Sequence, residues 1–97
     1  MYLVKFTKHA AKDARKLKAA GLDKKAKSLI EIVRIDPFAK PPAYEALVGN
    51  YAGLFSRRVS LQHRFVYEVL KGPIVEDGIE YEGAVKVLRM WTHYDGI

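Results

Sequence analysis

Residues 22–33 place the firmest constraint on how this chain can fold. Leu22, Ala26, Leu29, Ile30 and Val33 fall at i, i+4, i+7, i+8 and i+11, which puts them on one face of a helix. Lys24, Lys25, Lys27, Glu31 and Arg34 fill the rest of its circumference. Asp36-Pro37 stops it, because a residue before proline is pushed out of the helical region. Upstream, Ala10, Ala14 and Leu17 form a thinner stripe that Thr7 can cap and Gly21 can end. Two helices joined at one glycine predict an antiparallel pair laid across a sheet.

Strand signals stand on both sides of that pair. Val4 and Phe6 alternate with Lys5 ahead of the first helix. After a proline-rich connection come Tyr44-Glu45-Ala46-Leu47 and a turn bracketed by Gly49, Asn50 and Gly53. Leu54–Val59, Phe65–Leu70 and Ala84–Thr92 read as further strands, rich in β-branched and aromatic residues. Between the last two, Asp77-Gly78 is flanked by Ile74-Val75-Glu76 and Ile79-Glu80-Tyr81, the pattern of a small protruding hairpin. Glu76, Asp77, Glu80 and Glu82 make it a solvated acidic flap, expected to point away from any phosphate-bearing ligand. The expected fold is α+β, one domain over residues 1–97, with both helices on one face of a mainly antiparallel sheet of four to five strands. The first strand returns beside the later ones.

Composition removes several classes of function. With 97 residues the chain makes one domain with a single two-layer core. A hydrophobic fraction of 49% excludes wholesale disorder. There is no cysteine, and His9, His63 and His93 are too far apart in sequence for a zinc motif. No apolar run approaches the ~20 residues of a membrane helix, and no signal-peptide layout opens the chain, so a soluble cytoplasmic protein with no cofactor is expected. The net charge of +6 is unevenly spread: residues 1–34 hold ten Lys/Arg against three acids, and the rest holds seven against eight. Lys5, Lys12, Lys16, Lys24, Lys25 and Lys27 therefore suit either contacts with a polyanion or a plainly solvated face.

The stretch from Ser56 to Tyr67 sets Arg57, Arg58, His63 and Arg64 among apolar residues in a strand–turn–strand pattern. It fits an RNA-facing surface, with guanidinium forks for phosphates and rings for bases, or a sheet whose arginines snorkel or pair with acids. Glu45 precedes the sheet, and His93 follows the last strand beside Trp91 and Tyr94. Each has an ordinary surface reading. Together, a carboxylate, arginines and a histidine supply the three roles of metal-free RNA cleavage. These are a base for the 2′-hydroxyl, positive charge for the phosphorane and an acid for the 5′-oxygen.

Glu45-Ala46-Leu47, the run Gly53-Leu54-Phe55-Ser56-Arg57-Arg58 with His63-Arg64-Phe65-Val66-Tyr67, and the ending His93-Tyr94 carry a family resemblance. Over Met1 to Tyr94 the chain resembles the YoeB/Txe branch of the RelE toxin superfamily. The resemblance implies a ribosome-dependent mRNA endonuclease that cuts in the ribosomal A site and leaves a 2′,3′-cyclic phosphate. It implies Glu45 as general base, His93 as general acid, Arg64 as the transition-state arginine, and Arg58 and Tyr94 as further site residues. It also implies a cognate YefM/Axe-like antitoxin, the ribosome and mRNA as partners, no membrane, and a possible homodimer. ParE-like gyrase inhibitors share the fold without the Glu/Arg/His set, and a plain RNA-binding module would need only the basic helices. The chain departs from the family at Val48-Gly49, where relatives often carry basic residues. The flap from Gly72 to Gly83 is longer than the usual tight turn, and Asp95-Gly96-Ile97 extends past the terminal tyrosine.

Overall fold

The computed structural model of the protein describes residues 1–92. Its elements run β1 (Tyr2–Phe6), α1 (Lys8–Ala19), α2 (Asp23–Ile35), β2 (Tyr44–Ala46), a short 3-10 turn, β3 (Leu54–Arg58), β4 (Arg64–Glu76) and β5 (Ile79–Arg89). The five strands form one sheet in the order β1-β5-β4-β3-β2. Only the β1/β5 pair is parallel; the other neighbours are antiparallel. The expected α+β arrangement is therefore the one adopted.

Both helix boundaries follow from their chemistry. The Thr7 hydroxyl accepts from the Ala10 amide at 3.0 Å and donates to the Leu88 carbonyl at 2.8 Å, so one side chain caps α1 and ties it to β5. Gly21, with φ of 75°, turns the chain between the helices in a conformation that costs other residues dearly. Ala10 and Leu17 of α1 and Ala26, Leu29 and Val33 of α2 are buried against Phe65, Tyr67, Val85 and Val87 of the sheet. Side chains alternate between the two faces along the strands, apart from register shifts at Val66/Tyr67 and Lys71/Ile74. Odd-numbered residues of β4 and β5 near those positions face the helices, and their even-numbered neighbours face the other way. We call the second surface the outer face.

Arg57 breaks the usual pattern. Its register partner is Phe65, so it points to the helix side, where it is fully buried. Its Nε donates to the Tyr67 hydroxyl at 3.1 Å, its Nη1 to the Pro42 carbonyl at 2.6 Å and its Nη2 to the Pro37 carbonyl at 3.0 Å. The Tyr67 hydroxyl donates to the same Pro37 carbonyl at 2.7 Å. The guanidinium also lies over the Tyr44 ring, 5.1 Å from its centroid. One side chain thus satisfies two carbonyls of an irregular segment that has no ladder of its own.

The flap differs from expectation in two ways. It is no separate hairpin but the continuation of β4 and β5, closed by Asp77 and Gly78, both with positive φ as a tight hairpin turn requires. Nor is it merely solvated. Lys5 Nζ bonds both carboxylate oxygens of Glu76, at 2.9 and 3.2 Å, and the N-terminal ammonium bonds Glu82 at 2.8 Å. Two of the four acids thus meet positive charge, on β1 and at the chain's first residue. At the root of the flap a Cβ on Gly83 would lie 2.3 Å from the Leu70 carbonyl oxygen, so only glycine fits there.

Burial pushes the Tyr67 phenol above its ordinary value of 10.0, and the Arg57 hydrogen bond opposes that shift. The neutral phenol is the form the fold favours. Its contribution holds in full below pH 10 and is lost as pH rises through the raised value. Tyr67→Phe keeps the ring and strands Arg57 Nε, so it is expected to cost about 1–3 kcal/mol in urea unfolding at neutral pH. The difference from wild type should shrink above pH 10; a pH-independent difference would contradict the buried neutral phenol.

Candidate functional site

The outer face near the β2 edge gathers most of the expected residues. β2 has three residues, and its register sets Glu45 opposite Ser56 and so on the outer face. In the next pair of strands Arg58 lies opposite Arg64 and Ser56 opposite Val66, again on that face. Arg64 Nε donates to the Ser56 hydroxyl at 2.9 Å, which fixes the plane of the guanidinium. Its Nη2 then stands 3.5 Å from Glu45 Oε1. Arg64 is held in a partly buried position with 18% of its side chain exposed, whereas the Glu45 carboxylate is 58% exposed.

Glu45, Arg58 and Arg64 line a cleft of about 640 Å³ together with Lys25, Tyr44 and Leu61. The cleft thus presents one accessible carboxylate among Arg58, Arg64 and Lys25. Such a wall attracts an anion while keeping a proton acceptor beside it. The 3.5 Å separation is loose for an arginine–carboxylate pair, whose tight forms lie near 2.7–2.9 Å. A phosphate oxygen can compete for that guanidinium without breaking a short ion pair. Leu61 is 89% exposed at the tip of the β3–β4 connection. That connection is set by the Ser60 hydroxyl, which accepts from the Gln62 and His63 amides at 3.2 and 3.1 Å. Among the described residues no group of three or more His, Asp or Glu side chains is placed to hold a metal ion.

Several expected residues lie elsewhere. Arg57 belongs to the buried clamp and not to the face of Arg58, because adjacent strand residues point to opposite sides. His63 is buried and stacks on Trp91, with ring centroids 3.7 Å apart. Lys5 sits on β1, at the sheet edge opposite Glu45, where Glu76 engages it. Lys12, Lys16 and Lys24 are exposed on the helices and do not line the cleft, whereas Lys25 does. Val48, at the departure from the family pattern, is 82% exposed. His93 and Tyr94 lie outside the described residues.

A sequence model described as "YoeB-like toxin of bacterial type II toxin-antitoxin system" matches residues 6–94. Among solved structures, the YoeB/ParE toxin from Agrobacterium tumefaciens is 29% identical with a TM-score of 0.75, covering 95% of this chain and 99% of that one. The YoeB-YefM complex from Staphylococcus aureus contains a chain 23% identical with a TM-score of 0.69, covering 97% and 99%. YafQ from E. coli strain BL21(DE3), at 14% identity and a TM-score of 0.70, covers 96% and 94%. No match was found among the curated proteins.

Sequence reasoning gave Asp13 no role, yet it is buried and organises the end of β5. Its Oδ2 accepts from Arg89 Nε at 2.8 Å, from the Met90 amide at 3.0 Å and from the Trp91 amide at 3.2 Å. Beyond Trp91, the Thr92 carbonyl accepts from the Arg64 amide at 2.9 Å, which ties the outgoing chain to the first residue of β4. An acid inside a helix, three residues after one buried alanine and four before a buried leucine, was the available signal. Asp13→Ala leaves Arg89 without its buried partner and two amides without an acceptor. A loss of about 3–5 kcal/mol is expected by denaturant unfolding. Faster hydrogen exchange at Met90 and Trp91 should accompany it, and unchanged stability would remove Asp13 from this role.

Proposed function

The chain belongs to the YoeB-like toxins of bacterial type II toxin-antitoxin systems, and we propose that it acts as a ribosome-dependent endonuclease on mRNA. The observation that carries this reading is the Glu45–Arg64 pair, an accessible carboxylate 3.5 Å from a guanidinium that Ser56 holds in place. In the proposed reaction Glu45 takes the proton of the 2′-hydroxyl, and the 2′-oxygen attacks the adjacent phosphorus. Arg64, with Arg58 across the strand pair, carries the charge that builds on the phosphorane oxygens. The bond to the 5′-oxygen breaks, and His93 supplies the proton that this leaving group takes. A 2′,3′-cyclic phosphate and a 5′-hydroxyl result, with atoms and charge balanced. Tyr94 would line the same site.

Few side chains in the cleft can read a base, so the ribosome would supply much of the substrate geometry. Action in the A site places the chain in the cytoplasm. A cognate antitoxin is the expected partner, in keeping with the YoeB-YefM complex from S. aureus; a second copy is the other partner this reading proposes, in keeping with the YoeB dimer from the same organism. A non-enzymatic gyrase inhibitor on this fold would need neither Glu45 nor Arg64.

Glu45→Gln should slow single-turnover cleavage on programmed ribosomes by about 10²–10⁴-fold with ribosome binding retained. His93→Gln should slow the same step with binding retained, as loss of the proton donor to the leaving 5′-oxygen requires. Full growth inhibition by Glu45→Gln would favour the gyrase-type alternative. Ser56→Ala frees the Arg64 fork, and a drop of roughly 10–100-fold in rate with little change in affinity is expected of a positioning residue. Ser56→Thr, which keeps the hydroxyl, should restore most of it.

A further inference from the structure

Taking RNA as the substrate, as proposed above, we infer that Lys5 and Lys86 form a second phosphate-binding position on the outer face and that Glu76 of the acidic flap gates it. Lys5 and Lys86 are register partners in the parallel β1/β5 pair. Their neighbours Val4, Val85 and Val87 pack into the core, so both lysines project from the outer face. That is the face of Glu45, Arg58 and Arg64. Two ammonium groups side by side on a sheet repel one another and need counter-charge; Glu68, opposite Lys86 on β4, supplies it on one side.

On the Lys5 side the flap supplies it, through Glu76, and only by bending back. Glu76 pairs with Ile79, seven residues before Lys86 along β5, and Lys86 is level with Lys5. A straight hairpin would carry Glu76 about 23 Å past Lys5 at ~3.3 Å per residue, farther than the two side chains can span. The measured contacts of 2.9 and 3.2 Å therefore require the flap to fold over the sheet. A register shift between Lys71 and Ile74, and Gly72 with φ of 119°, provide the bend. Ile74 and Tyr81 on one side of the flap are half-buried, whereas Val75 and Glu80 on the other are exposed. Ala84, which the register sets between Leu3 and Leu70 on the outer face, is buried, as a position under the returning flap should be.

Two carboxylate oxygens on one ammonium reproduce what a phosphate would offer. The pair is open to water, with Lys5 55% and Glu76 40% exposed, so it is weak enough for RNA to displace. Two strand spacings and four residues separate Arg64 from the Lys5–Lys86 level, about 16 Å across the sheet. A single strand cut at Glu45 would reach the lysines a few nucleotides away. Its phosphates must expel Glu76 to do so, and the other flap acids add repulsion until the flap swings off.

The test is fluorescence anisotropy of the full chain with a labelled 2′-O-methyl RNA oligonucleotide, uncleavable because its attacking hydroxyl is blocked. Glu76→Gln is expected to tighten binding about three- to fivefold, the reach of an exposed ion pair. Lys5→Gln and Lys86→Gln should weaken it, each lowering the slope of log affinity against log salt by about 0.7. In a Lys5→Gln background the gain from Glu76→Gln should vanish. Thermal melting confirms that each variant is folded, and Glu76→Ser serves as a second neutral replacement. Wild-type RNA binding that no Glu76 variant changes, or a salt slope indifferent to Lys5, overturns the gate alone. A wild-type chain that binds no RNA even at low salt overturns the phosphate-binding position and its gate, whereas the RNA-cleaving reading stands or falls separately, on cleavage of mRNA on programmed ribosomes.

Discussion

The site depends on the buried guanidinium of Arg57. β2 is three residues long and lies at the sheet edge, so its own ladder cannot hold Glu45 in register. What holds it is the segment before it. Arg57 grips the carbonyls of Pro37 and Pro42, and Tyr67 shares the first of these. The aromatic rings of Phe38, Tyr44 and Phe55 close around the same segment, with centroids 5.1 to 6.0 Å apart. A permanently charged group is kept out of water because its fork satisfies the Pro42 carbonyl and, together with the Tyr67 hydroxyl, the Pro37 carbonyl. Removing it would take that donor from the Pro42 carbonyl, and the edge strand would lose its anchor.

From that anchor the functional geometry follows by alternation. Arg57 faces the helices and holds the scaffold; Ser56 and Arg58, its neighbours, face outward and serve the cleft. Ser56 orients Arg64, and Arg64 sets the charge beside Glu45. A second buried charged contact, the ion pair of Asp13 with Arg89, fixes the chain at the far end of β5 and delivers Thr92 to the Arg64 amide. Two internal charged anchors therefore bracket a site whose working groups stay partly open to solvent.

Much of this was legible in the sequence, and the misses have physical causes. The helix stripe of Leu22, Ala26, Leu29, Ile30 and Val33, the Thr7 cap and the Asp77-Gly78 turn are local signals, and each is found where it was read. The outward pairing of Glu45 with Arg64 depends on register between strands nineteen residues apart and was reached only through family resemblance. Arg57 was grouped with Arg58 as one basic surface, although period-two alternation already sets them on opposite faces. The fold-back of the flap was invisible because it rests on Lys5, seventy-one residues from Glu76, and on a bulge that no local pattern announces.

The measurement that bears most directly on the central claim is the chemistry of the cut ends. Messenger RNA cleaved by the purified chain on programmed ribosomes should carry, by mass spectrometry, a 2′,3′-cyclic phosphate upstream and a 5′-hydroxyl downstream. Those ends require the 2′-oxygen as nucleophile and hence a base placed as Glu45 is. A 3′-hydroxyl with a 5′-phosphate would mean that water, not the 2′-oxygen, attacks, and would contradict the role given to the Glu45–Arg64 pair.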